Sequence, residues 1–176
     1  ELTVVATPNA GYKLSTLTAA GVSILANKKF TVTKATTVAA TFTKEQFAVT
    51  FTQPANGTLK VMNGTTEISS GTMIDSGTEL TVEVMPNEGY KISTLTAGGV
   101  NILTSKKFTV TKATAVAAAF TKQQFTITFT LPSNGTLKIM NGTTAISSGT
   151  MVDYGTELTV EATPNEGYKL SALAVN

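Results

Sequence analysis

The sequence predicts an all-β chain assembled as a tandem array of small β modules, and three observations carry that expectation. The segment ELTVVATPNAGYKLS at Glu1 returns as ELTVEVMPNEGYKIS at Glu79 and as ELTVEATPNEGYKLS at Glu157, 78 residues apart each time without insertion or deletion. An undisturbed long period is the mark of like units in series rather than of one large body. Apolar and polar residues alternate wherever a pattern is visible, as in Phe47-Ala-Val-Thr-Phe-Thr and Phe125-Thr-Ile-Thr-Phe-Thr. That period of two belongs to half-buried strands, and no ten-residue stretch carries a helical stripe.

The strands follow in order along one period. Phe47, Val49 and Phe51 share one face, then Leu59 and Val61, and the turn Asn63-Gly64 follows. A two-residue type I′ turn there would pair Leu59 with Ile68 and Lys60 with Glu67, apolar inside and ionic outside. The third period keeps Leu137 and Ile146 but places Ala145 opposite Lys138, so the apolar pair is the structural part. Leu80, Val82 and Val84 form the next face. Pro86-Asn87-Glu88-Gly89 reads as a type I turn with Gly89 left-handed, returning the chain at Tyr90 and setting Val84 beside Ile92. Phe108 with Val110, and Val116 with Ala118 and Phe120, complete the period.

Parity places the module boundaries. Val38, Ala40 and Phe42 face one way, and Phe47, Val49 and Phe51 have the opposite parity, so the face flips across Lys44-Glu45-Gln46 and again across Lys122-Gln123-Gln124. A flip requires a bulge or a break in pairing. The expected division is a partial module 1–44 (the C-terminal part of a period), a complete module 45–122, and a partial module 123–176 (the N-terminal part). No Gly, Ser or Pro stretch separates them, so the joints should be short and stiff. The chain opens inside a period without an initiator methionine, so it reads as a fragment, with any targeting segment outside it.

Composition narrows the function. The chain has no His, Cys, Trp or Arg, which removes the usual general base, thiol nucleophile, zinc ligands and arginine clamp. Residues 45–122 hold six lysines and six acids, and a neutral unit lacks the clustered positive charge that nucleic acid requires. The longest apolar run, Ala115–Phe120, is far too short for a membrane span. The expectation is a protein that is not an enzyme, with no catalytic residues, no cofactor and no metal, that neither binds nucleic acid nor inserts into membranes.

The succession of an Asn-Gly turn, Gly155-Thr-Glu-Leu-Thr-Val-Glu-Ala-Thr-Pro-Asn-Glu-Gly-Tyr168, a Lys-Lys-Phe-Thr-Val-Thr-Lys segment and Val-Ala-Ala-Thr-Phe-Thr-Lys resembles the divergent internalin-B-type repeat of bacterial surface and secreted proteins. The resemblance covers the whole chain. It implies a β-grasp-like variant with a short helix, an extracellular or bacterial cell-surface location, and a structural spacer role in a stalk or adhesin. Members often carry Trp shortly after the Gly-Tyr pair, where this chain has Leu17, Leu95 and Leu173. Leu serves if that position packs, and a sugar platform is lost if it binds.

Tyr12, Tyr90 and Tyr168 follow the turn glycines and are the candidate ligand-binding residues, by stacking on a glycan or by closing the end of a small core. Tyr154, whose counterpart is Ser76, reads as an exposed singlet. Asp75, Glu79 and Glu83, with Asp153, Glu157 and Glu161, offer oxygen ligands, but in no calcium-loop spacing and with Glu83 on a solvent face. Asn56, Asn63, Asn134 and Asn141 each begin Asn-Gly-Thr, which reads as turn chemistry before glycosylation. An isopeptide bond between Lys106 or Lys107 and Asn101 has no buried lysine to support it. The expected partners are neighbouring repeats, with a glycan or host surface protein as one alternative. Self-association through the incomplete ends into a head-to-tail filament is another.

Overall fold

The alternating runs become strands along residues 1–175, which the computed structural model describes. The described residues contain no helix. In the first segment these are β1 (Leu2–Thr3), β2 (Tyr12–Ala19), β3 (Val22–Ser23), β4 (Lys29–Phe30) and β5 (Val38–Lys44). The middle segment holds β6 (Gln46–Phe51), β7 (Gly57–Asn63), β8 (Thr66–Ile68), β9 (Thr72–Asp75) and β10 (Glu79–Pro86). It continues with β11 (Tyr90–Ala97), β12 (Val100–Asn101), β13 (Lys107–Thr109) and β14 (Thr114–Lys122). The last segment holds β15 (Gln124–Ile127), β16 (Gly135–Asn141), β17 (Thr144–Ile146), β18 (Thr150–Asp153) and β19 (Thr159–Pro164).

The middle segment builds two sheets, ordered β13-β10-β7-β8 and β12-β11-β14-β6-β9. Cross-strand pairs Leu59↔Val84, Val61↔Val82 and Leu80↔Phe108 stack apolar residues on one face of the first sheet. Val49, Ile74, Leu95, Ala97 and Val116 come from the second sheet and join the same buried cluster. Leu59, Leu80, Leu95, Val49, Val61, Val82 and Val110 are all sealed from solvent. Each contributes about 1.5–3 kcal/mol relative to remaining exposed. The first and last strands of this segment, β6 and β14, pair in parallel through Thr114↔Val49, Ala115↔Thr50 and Val116↔Phe51. That long-range pair locks the two ends of one period together inside the five-stranded sheet.

The flanking segments repeat the local pairings without that closure. In the first, Leu17, Ala19 and Ile24 form a small buried cluster against Val4, Ala6, Leu14 and Phe30. Among the described residues strand β5 has no parallel neighbour, so Val38 is 39% and Phe42 40% exposed, where Val116 is 3% and Phe120 9%. In the last segment β15 pairs only with β18, and Leu173 is 53% exposed where Leu17 and Leu95 are at 0%. Leu at the family's Trp position is therefore a packing residue wherever its neighbours surround it.

Three local expectations change. The Asn63-Gly64 hairpin forms, but with Gly64-Thr65 as its loop and Val61↔Ile68 and Met62↔Glu67 as its pairs, two residues from the type I′ register. Gly64 has φ of 61° and Thr65 is not left-handed, so only the first loop position needs positive φ, as in a type II′ turn. A shift of two preserves the faces. Lys60 still reaches Glu67, now diagonally, at 3.1 Å.

The Pro86–Gly89 turn is left-handed at Gly89 as expected, with φ of 76°, but it is a corner and not a hairpin. Strand β10 stays in the first sheet and β11 enters the second, so Val84 lies opposite Leu59 and Ile92 opposite Phe120. The short helix that the family resemblance implied does not form among the described residues, where the chain makes instead a single turn in which Lys106 N–H donates to the Ile102 carbonyl at 2.7 Å. Lys28 and Ile24 repeat it at 2.7 Å.

Candidate functional site

The three candidate tyrosines occupy different surroundings and are not brought together into one site. Each follows a turn in which its own N–H donates at 3.0 Å to the Asn three residues earlier, Asn9, Asn87 or Asn165. Tyr12 is 39% exposed and borders, with Thr7, Asn9 and Phe42, a groove of about 250 Å³. Tyr90 is half-buried, and Tyr168 is exposed.

The turns before Tyr12 and Tyr90 have a second task, which the alternation pattern does not announce. Each receives the start of the next segment. Glu45 N–H donates to the Gly11 carbonyl at 2.8 Å, and Ser76 N–H donates to the Glu45 carbonyl at 2.8 Å. One period later, Gln123 N–H donates to the Gly89 carbonyl at 2.8 Å and Tyr154 N–H to the Gln123 carbonyl at 2.8 Å. A single residue at each joint thus continues two ladders, β2–β5 into β6–β9 and β11–β14 into β15–β18. Backbone groups paired on both sides leave the joint little freedom. Gln46 and Gln124 brace it identically, each donating Nε2 to Asp75 or Asp153 at 2.8 Å.

Tyr154 is not the expected singlet. Its hydroxyl donates to the Glu88 carboxylate, and its ring lies over Gly89, where an added Cβ would come within 2.9 Å of ring carbons. Phe125 sits against it with ring centroids 6.4 Å apart at 51°. The hydrogen bond to Glu88, and the negative charge of that carboxylate, hold the phenol above its ordinary pKa. The signal in the sequence was the change from Ser76 to Tyr154 together with that from Ala10 to Glu88. Its meaning required knowing that the two positions meet across a joint.

Asp75, Glu79, Glu83 and Asp153 face structural partners. Glu79 Oε1 accepts from Lys107 Nζ at 2.8 Å, Asp75 and Asp153 hold the glutamines above, and Glu83 lies opposite Lys60. Among the described residues no three Asp or Glu side chains gather as a metal site. Asn101 Oδ1 accepts from Leu103 N–H at 2.9 Å and caps the single helical turn, while Lys107 faces Glu79. The Asn-Gly-Thr asparagines serve turns. Asn63 and Asn141 end strands at their hairpins, and Asn56, with φ of 65°, and Asn134 offer carbonyls to Asn87 and Asn165.

A family model described as the divergent InlB B-repeat domain matches residues 1–46, 47–124 and 125–175. No curated protein and no solved structure matches the chain.

Proposed function

The chain belongs to the divergent InlB B-repeat family, and from that premise we propose that it is a non-catalytic spacer of a bacterial cell-surface or secreted protein. Its work is to provide length and to hold other parts of a stalk or adhesin apart. The modules of this reading are 1–44, 45–122 and 123–176. The observation that carries it is the joint. Glu45 and Gln123 each hydrogen-bond through N–H and C=O to the segments on either side, with no flexible linker between sheets. A series connected this way resists bending, and each added period contributes a fixed increment of length. Small-angle X-ray scattering on chains extended by further copies of 45–122 tests this. The maximum dimension rises linearly with copy number in a spacer, and growth near the square root of copy number defeats the reading.

One observation favours a second reading, self-association into a head-to-tail filament. The last segment presents an open groove lined by Ile127, Phe129, Leu137, Ile139, Val160 and Leu173. In the middle segment β14 lies along the matching strand β6. The counterpart of β14 is β5, whose free edge could pair with β15 of another copy. Light scattering across a concentration series separates the readings, since a chain that stays monomeric excludes the filament. Binding of a glycan or host protein through Tyr12, Tyr90 and Tyr168 would have to work with three unlike surroundings, one of them half-buried.

A further inference from the structure

The two joints share their backbone hydrogen bonds and differ in their side chains. At the second, the Tyr154 hydroxyl reaches Glu88, the Tyr154 ring covers Gly89 and meets Phe125, and Gln123 Nε2 donates to the Tyr90 carbonyl at 2.9 Å. At the first, the matching residues are Ser76, Ala10 and Glu45. Ser76 lies against Gly11, where an added Cβ would meet its Oγ at 2.9 Å, Ala10 has no side-chain acceptor, and the Glu45 side chain has no N–H to donate to the Tyr12 carbonyl. Burial follows these identities. Gly89 is buried where Gly11 is only half-buried, and Tyr90 is half-buried where Tyr12 is exposed.

We propose that Glu88, Gln123 and Tyr154 form an inter-module lock that fixes the second joint in one orientation, while the first joint, held by the shared backbone bonds and the Gln46 brace alone, is the less rigid of the two. The docking surface is the β10–β11 turn of one module, and its partner is the end of β18, the fourth strand of the next. Stiffness is then written joint by joint, through three positions that recur with the period. This rests on the spacer reading and adds to it that the joints of the spacer differ in stiffness.

The third turn, Pro164–Tyr168, carries Glu166 where the locked turn has Glu88, and it is exposed at Gly167 and Tyr168. It is therefore suited to a repeat module bearing Tyr, and not Ser, at the place of Tyr154.

The chain has no cysteine, so paired spin labels can be placed cleanly. Labels at Lys13→Cys and Thr66→Cys span the first joint, and labels at Lys91→Cys and Thr144→Cys span the second at matching, exposed positions. Pulsed electron spin resonance on the full chain reads the width of each distance distribution. The expected result is a narrower distribution across the second joint. Tyr154→Phe with Gln123→Glu broadens it towards that of the first. The reverse graft, Ala10→Glu with Glu45→Gln and Ser76→Tyr, narrows the first. Equal widths in the parent chain overturn the lock, as does a graft that leaves the first joint unchanged while circular dichroism shows the fold retained. Neither failure touches the spacer reading, which stands or falls on growth of length with copy number.

Discussion

Leu17, Leu95 and Leu173 occupy the same place in successive periods, yet the structure gives them different stability roles. Leu95 is fully buried, in one cluster with Val49, Leu59, Val61, Leu80, Val82 and Val116. Its replacement by Ala loses the transfer energy of the side chain and leaves a cavity in a close-packed core, which costs about 2–5 kcal/mol. A unit of 78 residues is stable by about 4–12 kcal/mol at 0.05–0.15 kcal/mol per residue. Leu95→Ala therefore removes a large share of the middle segment's stability. Leu173 is 53% exposed, and Leu173→Ala should fall within about 0.5 kcal/mol of the parent. Leu17→Ala should match Leu95→Ala in direction and fall below it in size, because its cluster has only two other buried members. An array need not unfold in one step, so amide hydrogen exchange in β11 and in β16 is the assay, read against urea unfolding by circular dichroism. Equal losses for Leu95→Ala and Leu173→Ala would refute the placement of the core.

Gly57→Ala would push a Cβ to 2.5 Å from the Phe120 ring and 2.7 Å from the Met85 carbonyl, and should destabilise by about 1–3 kcal/mol. Gly135→Ala meets the Thr163 carbonyl at 2.7 Å but no aromatic ring, so thermal melts should rank it the milder change. Glu67→Ala breaks an ion pair whose partners are both about half exposed, and its effect should stay below about 1 kcal/mol and shrink with added salt. The Tyr154 phenol is held above its ordinary pKa by its hydrogen bond to Glu88, so its stabilising effect is full below the ordinary tyrosine value of about 10. It is lost as pH rises through the higher folded value. Phenolate absorbance should show a step above the ordinary tyrosine range, and Tyr154→Phe should abolish that step.

Local chemistry was the legible part of the sequence. The 78-residue recurrence announced the array, alternation announced strands, and Gly64 and Gly89 announced turns at the right places. Turn chemistry did not fix what the turns connect. Asn63-Gly64 fits two loop registers that bury the same faces, and the one adopted keeps Asn63 in the strand with only Gly64 at positive φ. Pro86–Gly89 could close a hairpin or turn a corner between sheets, because alternation shows which residues are buried but not which strand lies beside them. The parallel pair of β6 and β14 joins residues 65 positions apart, as Val49 and Thr114 are, and leaves no local trace. The motif points to the tyrosines after the turn glycines, whereas Tyr154, which breaks the motif, meets Glu88, Gly89 and Phe125. Its partner Glu88 lies 66 residues away, so neither residue alone could disclose the contact.

The closure of one period by β6 and β14 is tested most directly by cutting the chain in two registers of equal length. Residues 45–122 contain both strands of the parallel pair and every residue of the buried cluster from Val49 to Val116. Residues 79–156 have the same number of amino acids but separate β10–β14 from β6 and β7, with which they build both sheets. Thermal unfolding of the two fragments by circular dichroism should show a cooperative β-sheet transition for 45–122. For 79–156 it should show a broad, earlier loss of signal. If the two fragments melt alike, the period does not close where the parallel pair places it.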